Sequence, residues 1–269
     1  HKLQTRMLEK GRNMALHIGP FLSSLGFRGR CLVVMDENTE KAAGQALMQG
    51  LSAFNPKAVV FKKPELHAND EALGTVLAAL HDKLDLLVSF GSGTLTDITR
   101  YNSYMTNRPF VSFATAASVD GFASGSTPLL INGFKTTYPG VAPEAIFYDP
   151  QVLAEAPQKM TAAGFGDILA KITALLDWRL AFAVEDEAYC PLIAAFVDRA
   201  VQDCLDLADD LAVQGTDKAA VKRKEDACSR LMETLSLTGM AMQMMGSTRP
   251  ASGADHQISH LLEMRDIQM

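Results

Sequence analysis

Short apolar runs and longer stretches of helical periodicity alternate through the first half of the chain. The apolar runs predict buried strands at 31–35, 58–61, 84–90, 109–115 and 145–150. Before and between them, apolar residues recur at helical spacing, which predicts helices over 2–16, 39–54, 69–83 and 96–106. Strands separated by helices of this length form βαβ units, so the pattern predicts a mainly parallel sheet.

The pattern changes in the second half. An Asn-Gly pair lies between two extended runs within 127–138, which is the strongest short signal for a β-hairpin. After Pro150 the strand signals end, and 151–269 shows helical periodicity throughout. We therefore predict an α/β domain over 1–150 followed by an all-helical domain over 151–269.

Composition narrows the class of protein. Apolar residues make up 48% of the chain, which excludes a disordered protein. The 31 acidic residues outnumber the 25 basic ones, which argues against a nucleic-acid partner. No apolar run approaches the roughly 18 residues of a membrane span, and no signal peptide opens the sequence. Four widely spaced cysteines without a CxxC pair indicate reduced thiols, so we expect a cytoplasmic protein.

A glycine-containing turn follows the predicted strand 84–90. It comprises Gly91, Ser92, Gly93 and Thr94, with Asp97 one turn further on. Glycines let a backbone approach a phosphate closely, and a helix N-terminus beyond the strand favours negative charge. The segment is neither GxGxxG nor a P-loop. A tight turn and a phosphate cradle both remain open at this point.

A polar loop follows the predicted strand 109–115. Its hydroxyl and carboxylate side chains are those of Thr115, Ser118, Asp120 and Ser124. Such residues suit a loop that wraps a polar ligand, although an ordinary surface loop has the same composition. Two loops of this kind after neighbouring strands favour a ligand site.

Asp36 ends the predicted strand 31–35 and has two interpretations. A carboxylate at this position can accept hydrogen bonds from the ribose hydroxyls of an adenine dinucleotide, and its charge disfavours a 2′-phosphate. It can equally cap the helix that follows. On the first interpretation we expect NADH to be accepted at least as well as NADPH.

The helical half contains candidate metal ligands. His256 and His260 are four residues apart, so they share one helix face. Asp167 stands at a helix start with Lys171 one turn later, after glycines that permit close approach. An aspartate with histidines could form a catalytic metal site with an open position. A surface histidine pair and an Asp–Lys ion pair are the alternative.

Four segments together resemble a known family. They are FGSGTLTDITRY, TAASVDGFAS, AAGFGDILAKITALLDW and RPASGADHQISHLLEM, in this order. The combination is similar to the bacterial branch of the sn-glycerol-1-phosphate dehydrogenase family. That family belongs to the superfamily of iron-containing alcohol dehydrogenases, glycerol dehydrogenases and dehydroquinate synthases. The resemblance extends from about residue 30 to the end of the sequence.

The resemblance implies a dehydroquinate synthase-like fold, with an α/β nucleotide-binding domain, a helical domain and the active site between them. It also implies a role for each matching residue. Coenzyme contacts would come from Gly91, Gly93, Thr94, Asp97, Thr115, Ser118 and Ser124, substrate contacts from Asp120, Asp167 and His260, and metal ligands from Asp167 and His256. We expect Lys171, with His260 and Arg249, to serve the substrate phosphate. The family's third ligand is a histidine in a later His-Gly motif that this sequence lacks, so we expect a truncated helical domain; loss of the metal is the alternative.

The implied reaction is reversible hydride transfer between NAD or NADP and a phosphorylated triose. Dihydroxyacetone phosphate would be reduced to sn-glycerol 1-phosphate, with Zn²⁺ or Ni²⁺ acting as a Lewis acid. We expect a homodimer. A dehydroquinate synthase-like cyclase and a non-catalytic dinucleotide-binding relative are the alternatives.

Overall fold

A parallel sheet of six strands organises the first half of the chain. The computed structural model describes residues 3–63, 65–80 and 84–263, without the side chains of His260 and Glu263. The sheet strands are Met7–Lys10 (β1), Arg30–Asp36 (β2), Lys57–Phe61 (β3), Leu84–Gly91 (β4), Phe110–Ala114 (β5) and Ala145–Tyr148 (β8). Their order is β1-β8-β5-β4-β2-β3, and every neighbouring pair is parallel. The predicted parallel sheet is confirmed.

Helices connect the strands and make up the second half. In the first half they are Met14–Ser24 (α1), Glu37–Thr39 (α2), Gln45–Gly50 (α3), Asp70–Ala79 (α4) and Gly93–Thr106 (α5). In the second half they are Pro150–Glu155 (α6), Gln158–Leu169 (α7), Lys171–Glu185 (α8), Pro191–Leu205 (α9), Ala208–Leu211 (α10), Lys218–Met245 (α11) and Ala254–Glu263 (α12). None of the helices formed by the described residues is long and apolar enough to cross a membrane.

The predicted hairpin is confirmed. Ser126–Ile131 (β6) and Phe134–Pro139 (β7) pair antiparallel. The residues between them, Asn132 and Gly133, have φ values of 52° and 80°. A two-residue hairpin turn with both φ values positive matches the twist of its strands, which is why the Asn-Gly pair forms here.

The helix predicted over 2–16 is wrong in its first part. Met7–Lys10 is a strand at the sheet edge, where Met7 pairs with Ala145. The helix begins only at Met14, after Asn13 turns the chain with a φ of 54°. A run of four residues carries little periodicity, so pairing with a strand far along the chain decides its structure. The next helix after β3 is capped by Asn69, whose side chain accepts the amide of Ala72.

The core has a layer on each face of the sheet and a third part beneath the helical half. Alternate residues of β2 enter opposite layers: Val33 lies in one and Val34 in the other. A third cluster joins the strand β8 residue Tyr148 to Ile168 of α7 and Leu231 of α11. This cluster fixes the helices against the carboxyl ends of the strands, where a cleft remains open.

Candidate active site

The cleft lies at the carboxyl ends of β4 and β5. It has a volume of about 820 Å³, and its walls come from the α5 N-terminus, the loop after β5, the hairpin, α7 and α12. Predicted site residues that line it are Gly93, Thr94, Asp97, Ser118, Asp120, Ser124, Asp167 and His256. The carboxyl edge of an open parallel sheet is where such folds bind ligands.

Some residues of the glycine turn pack against the fold, and others line the cleft. A Cβ on Gly91 would lie 2.2 Å from Leu95 Cδ1, so this glycine is required by the tight turn and does not line the cleft. Gly93 and Thr94 open α5 and do line it. The turn and the exposed helix N-terminus therefore coexist, and the second suits an anion.

The loop after β5 is clamped between the sheet and the helices. The Thr115 amide donates to the Gly91 carbonyl at 3.1 Å, which ties the two loops, and Thr115 itself does not line the cleft. A Cβ on Gly164 of α7 would lie 2.0 Å from the Ala117 carbonyl oxygen, and one on Gly239 of α11 would lie 2.4 Å from that of Asp120. These two glycines let both helices press directly against the loop.

Four ionisable side chains from three segments meet in the cleft. Lys171 Nζ lies 2.7 Å from Asp167 Oδ1 and 2.8 Å from Asp120 Oδ2. The Asp120 amide donates to Asp167 Oδ2 at 2.7 Å. His256 Nε2 lies 3.6 Å from Asp167 Oδ1. The structure therefore brings together Asp120, Asp167 and His256, which are far apart in the sequence.

Burial and pairing drive the pKa values of these groups apart. Burial raises the pKa of Asp120 to about 6, with a further rise from the charge of Asp167. Burial acts on Asp167 in the same sense, but the Lys171 charge and hydrogen bonds from His256, Lys171 and the Asp120 amide outweigh it and lower its pKa to about 2. The hydrogen bond to Asp167 raises the pKa of His256. Asp167 is thus an ionised carboxylate at any physiological pH.

Three predicted residues do not line the cleft. The side chain of Lys171 is fully buried, so its ammonium lies below the cleft and cannot contact a substrate phosphate. Arg249 pairs with Glu187 at 2.6 Å and does not line the cleft. Asp36 also lies outside the cleft lining, and its carboxylate accepts the amides of Asn38 and Thr39 as a helix cap.

Comparison with known proteins shows the family to which the chain belongs. The family model for iron-containing alcohol dehydrogenase matches residues 9–157. Proteins named glycerol-1-phosphate dehydrogenase [NAD(P)+] are 42% identical in Bacillus velezensis, over 87% of this chain and 58% of the relative, and 32% identical in Methanothrix thermoacetophila, over 96% and 70%. The chain belongs to the glycerol-1-phosphate dehydrogenases of the iron-containing alcohol dehydrogenase family. The resemblance predicted from four motifs is confirmed.

Solved structures support the fold of this glycerol-1-phosphate dehydrogenase family member. Glycerol dehydrogenase from Schizosaccharomyces pombe matches with a TM-score of 0.73 at 18% identity, over 95% of this chain and 64% of that one. Maleylacetate reductase from Agrobacterium tumefaciens also gives 0.73 at 18%, over 97% and 68%. The chain spans between 57% and 66% of the length of the bacterial relatives compared.

The donor set suits the divalent metal that the family implies. Asp255 Oδ2 lies 3.0 Å from His256 Nδ1, so the other ring nitrogen, Nε2, is directed at Asp167. A carboxylate on the far side of a ligating histidine fixes its tautomer and orientation in metal sites. Carboxylate oxygen and imidazole nitrogen suit Zn²⁺ or Ni²⁺. Among the side chains that the structure describes, which do not include those of His260 and Glu263, no group of three histidine, cysteine or carboxylate side chains forms a metal cluster.

His260 lies one turn after His256 on α12, and its side chain is outside the described residues. Its predicted substrate contact therefore stays a prediction.

Three basic residues at the cleft were missed from the sequence. Arg100 lies at its floor, and Lys135 of the hairpin and Lys159 of α7 line its walls. Lys159 could have been found, because it precedes Asp167 by eight residues and so shares its helix face. Arg100 follows Asp97 by three residues, which is a helical neighbour. Lys135 gave no signal, since its position depends on where the hairpin folds.

Proposed function

We propose that this chain carries the active-site cleft of an NAD(P)-dependent glycerol-1-phosphate dehydrogenase. The reaction is reversible hydride transfer between the nicotinamide and the carbonyl carbon of dihydroxyacetone phosphate, giving sn-glycerol 1-phosphate. The observation that carries the proposal is the meeting of Asp120, Asp167 and His256 in a cleft that also begins at the α5 N-terminus. A coenzyme site and a carbonyl-binding site thus share one cleft.

The coenzyme would lie along the carboxyl edge of the sheet. The backbone amides of Gly93 and Thr94 at the α5 N-terminus suit its pyrophosphate. Ser118 and Ser124 offer hydroxyl groups along the next wall. This course directs the nicotinamide toward Asp120 and Asp167, where the substrate carbonyl must lie for hydride transfer.

Asp167 and His256 would hold the metal and Asp120 the substrate. When bound, Zn²⁺ or Ni²⁺ would supply Lewis-acid polarisation of the carbonyl oxygen. Asp120 can accept a hydrogen bond from the substrate hydroxyl, and the raised pKa of its carboxyl lets it hold a proton close to neutral pH. Lys171 holds Asp120 and Asp167 together from below. Lys135 and Lys159 bring positive charge to the walls for the phosphates.

Coenzyme preference depends on Asp36. We keep the proposal that NADH is accepted at least as well as NADPH, because a carboxylate at the end of β2 repels a 2′-phosphate. The amides of Asn38 and Thr39 both donate to Oδ1, so Oδ2 can accept a hydrogen bond from a ribose hydroxyl. Steady-state kinetics with both coenzymes decides, and a strong NADPH preference would remove this role.

The proposed homodimer is tested by light scattering.

A product assay tests the proposed function directly. The protein is incubated with dihydroxyacetone phosphate, NADH and either Ni²⁺ or Zn²⁺, and the product is tested with an enzyme specific for sn-glycerol 3-phosphate. The proposal is supported if NADH is oxidised and the product is not a substrate of this second enzyme. Turnover of a seven-carbon sugar acid phosphate without net NADH consumption would instead show a cyclase.

A non-catalytic dinucleotide-binding protein is the second candidate. It is considered because the two described donors that meet, Asp167 and His256, are fewer than the usual catalytic set of three. NADH binding in a fluorescence titration, together with no turnover at saturating Ni²⁺ or Zn²⁺, would support this candidate for this chain. An Asp167→Asn variant serves as the inactive control in either case.

A further inference from the structure

A fully buried arginine, Arg100, lies between two walls of the cleft. Its Nη1 donates to Asp97 Oδ1 at 2.6 Å and to the Ser126 carbonyl at 3.2 Å. Its Nη2 donates to the carbonyl of Gly121 and, at 3.2 Å, to that of Phe122. One guanidinium therefore joins four oxygen acceptors.

These acceptors belong to both loops of the site. Asp97 lies in the second turn of α5, directly after the glycine turn of the coenzyme wall. The three carbonyls belong to the 3₁₀ turn Asp120–Ala123 and to the start of β6, on the substrate wall. Guanidinium presents its N–H groups in a rigid planar fork, whereas an ammonium is a point charge without fixed directions. Arginine at this position fixes the spacing of the two loops.

The surroundings are shaped to hold this side chain. A Cβ on Gly140 would lie 2.8 Å from Arg100 Cδ and 3.0 Å from its Cγ, so the glycine leaves room for the stem. The guanidinium carbon lies 5.8 Å from the centre of the Phe110 ring, within cation–π range. A buried charge is costly to desolvate, and apolar side chains would often fill such a space more stably. Arginine therefore contributes the fixed directions of its hydrogen bonds between the two loops, and not added stability.

The turn at Asp120 is held from its other side by the metal-binding wall. The Asp120 amide and carboxylate contact Asp167 and Lys171 at 2.7 and 2.8 Å. Any shift of the turn relative to α5 changes the distance between the coenzyme and Asp120. A misplacement of about 1 Å in an active site can cost about 100-fold in rate.

We propose that Arg100 is a positioning residue that sets Asp120 against the coenzyme-binding end of α5. It acts through the turn and not on a ligand, because its side chain has no exposed surface. The inference rests on the proposed function to the extent that Asp120 serves the substrate.

The test is an Arg100→Lys variant, which keeps the charge and loses the fork. Hydrogen exchange of the 118–126 amides should become about tenfold faster, while exchange in β4 and β5 stays as in the parent protein. The Kd for NADH should change by less than about threefold. In the dehydrogenase assay kcat should fall at least about tenfold, with KM for dihydroxyacetone phosphate nearly unchanged.

Arg108→Lys is the matched control. The Arg108 Nε donates to the Leu84 carbonyl at 2.9 Å, at the opposite edge of the sheet. This variant makes the same chemical change away from the cleft, and it should leave loop exchange, the Kd for NADH and kcat as they were. Gly140→Ala is a second probe, since its methyl group would lie 2.4 Å from Thr127 Oγ1 and 2.8 Å from Arg100 Cδ and so crowd the arginine stem without altering charge. It should also make hydrogen exchange of the 118–126 amides faster, by a smaller factor.

Three results would overturn the inference. Unchanged exchange of 118–126 in Arg100→Lys would show that the fork does not hold the turn. Faster exchange throughout the sheet, with kcat and NADH binding falling together, would show a general structural role. An effect of equal size in Arg108→Lys would show the same. Because exchange and NADH titrations need no turnover, they decide the matter even if the parent protein fails to reduce dihydroxyacetone phosphate, a failure that counts only against the proposed function.

Discussion

Arg100 and Lys171 are both fully buried cations at the cleft, and they differ in the charge that surrounds them. Arg100 has one carboxylate partner, Asp97, and carbonyl oxygens for its remaining contacts. Lys171 lies between two carboxylates, Asp120 and Asp167. The first group has one carboxylate for its one cation, whereas the second has an excess of one carboxylate over its cation. An excess of this kind in a cleft attracts a cation, so the lysine group (Lys171, Asp120 and Asp167) suits a metal site. The arginine group (Arg100 and its four oxygen acceptors) holds two loops at a fixed spacing.

Replacing Lys171 should produce the largest effect. In Lys171→Met two buried carboxylates lose their shared cation, and breaking such a buried pair costs about 3–5 kcal/mol of unfolding free energy. Urea unfolding measures the loss. Lys159→Met is the control. Lys159 is exposed, so the same substitution there should change the free energy of unfolding by no more than about 0.5 kcal/mol. Equal stability of the two variants would show that Lys171 does not stabilise its two carboxylate partners.

Asp167→Asn should follow. The pairing of Asp167 with Lys171 and His256 keeps it ionised, and its loss removes one of two described metal donors. Loss of a group that merely supports a ligand typically costs 10–100-fold in metal affinity. We therefore expect at least about a 100-fold weaker affinity for Zn²⁺, measured by competition with a coloured chelator. Asp97→Asn, in the arginine group, should leave Zn²⁺ affinity within about twofold, and comparable losses would contradict the contrast.

Asp120→Ala should separate turnover from coenzyme binding. The carboxylate is in the cleft and contacts Lys171, and no described contact joins it to the α5 N-terminus. We expect kcat to fall at least about tenfold while the Kd for NADH stays within about threefold. Calorimetric titration of NADH and steady-state rates provide the two numbers. Asp149→Ala, which removes a helix cap outside the cleft, controls for stability. Collapse of NADH affinity with intact turnover would remove the substrate role.

The two halves of the site also differ in how far the sequence could predict them. Gly93, Thr94, Ser118 and Asp120 follow strand ends, and parallel strands bring their carboxyl ends to one edge, so a local rule locates them. Asp167 and His256 stand about ninety residues apart on α7 and α12, and no spacing rule joins such positions. Packing of the helical half brings them together. The residue types left a metal site and surface pairs both open, and the family resemblance favoured the metal site.

Buried partners were the hardest to foresee. The i,i+4 spacing of Asp167 and Lys171 offered an ion pair as the alternative to a metal site, and the structure contains that ion pair. The same spacing could not show that Lys171 would be enclosed and would reach Asp120 as well. Arg100 received no role because three of its four acceptors are backbone carbonyls, and these carry no mark in the sequence. The strand Met7–Lys10 was missed for a related reason, since its hydrogen bonds go to a strand far along the chain.

The last test is the pH dependence of the arginine group. Burial raises the pKa of Asp97 to about 7, although the charges of Arg100 and Lys135 act against that rise. An unfolded chain releases this proton near pH 4, so between about pH 4 and 7 the folded protein holds one more proton. The contribution of Asp97 to stability therefore falls as pH rises through this window and is level above it.

An Asp97→Asn variant cannot titrate at this position, so the parent protein should lose stability relative to it as pH rises from 5 to 8. Asp120, whose pKa is raised to about 6, gives a slope of the same sign in both proteins and cancels from the difference. Asp167 has a lowered pKa, so its contribution is level throughout this range and also cancels. Urea midpoints at three pH values supply the difference. Parallel curves would show that the Asp97 carboxylate stays ionised beside Arg100, and the arginine group would then be a full ion pair at every pH tested.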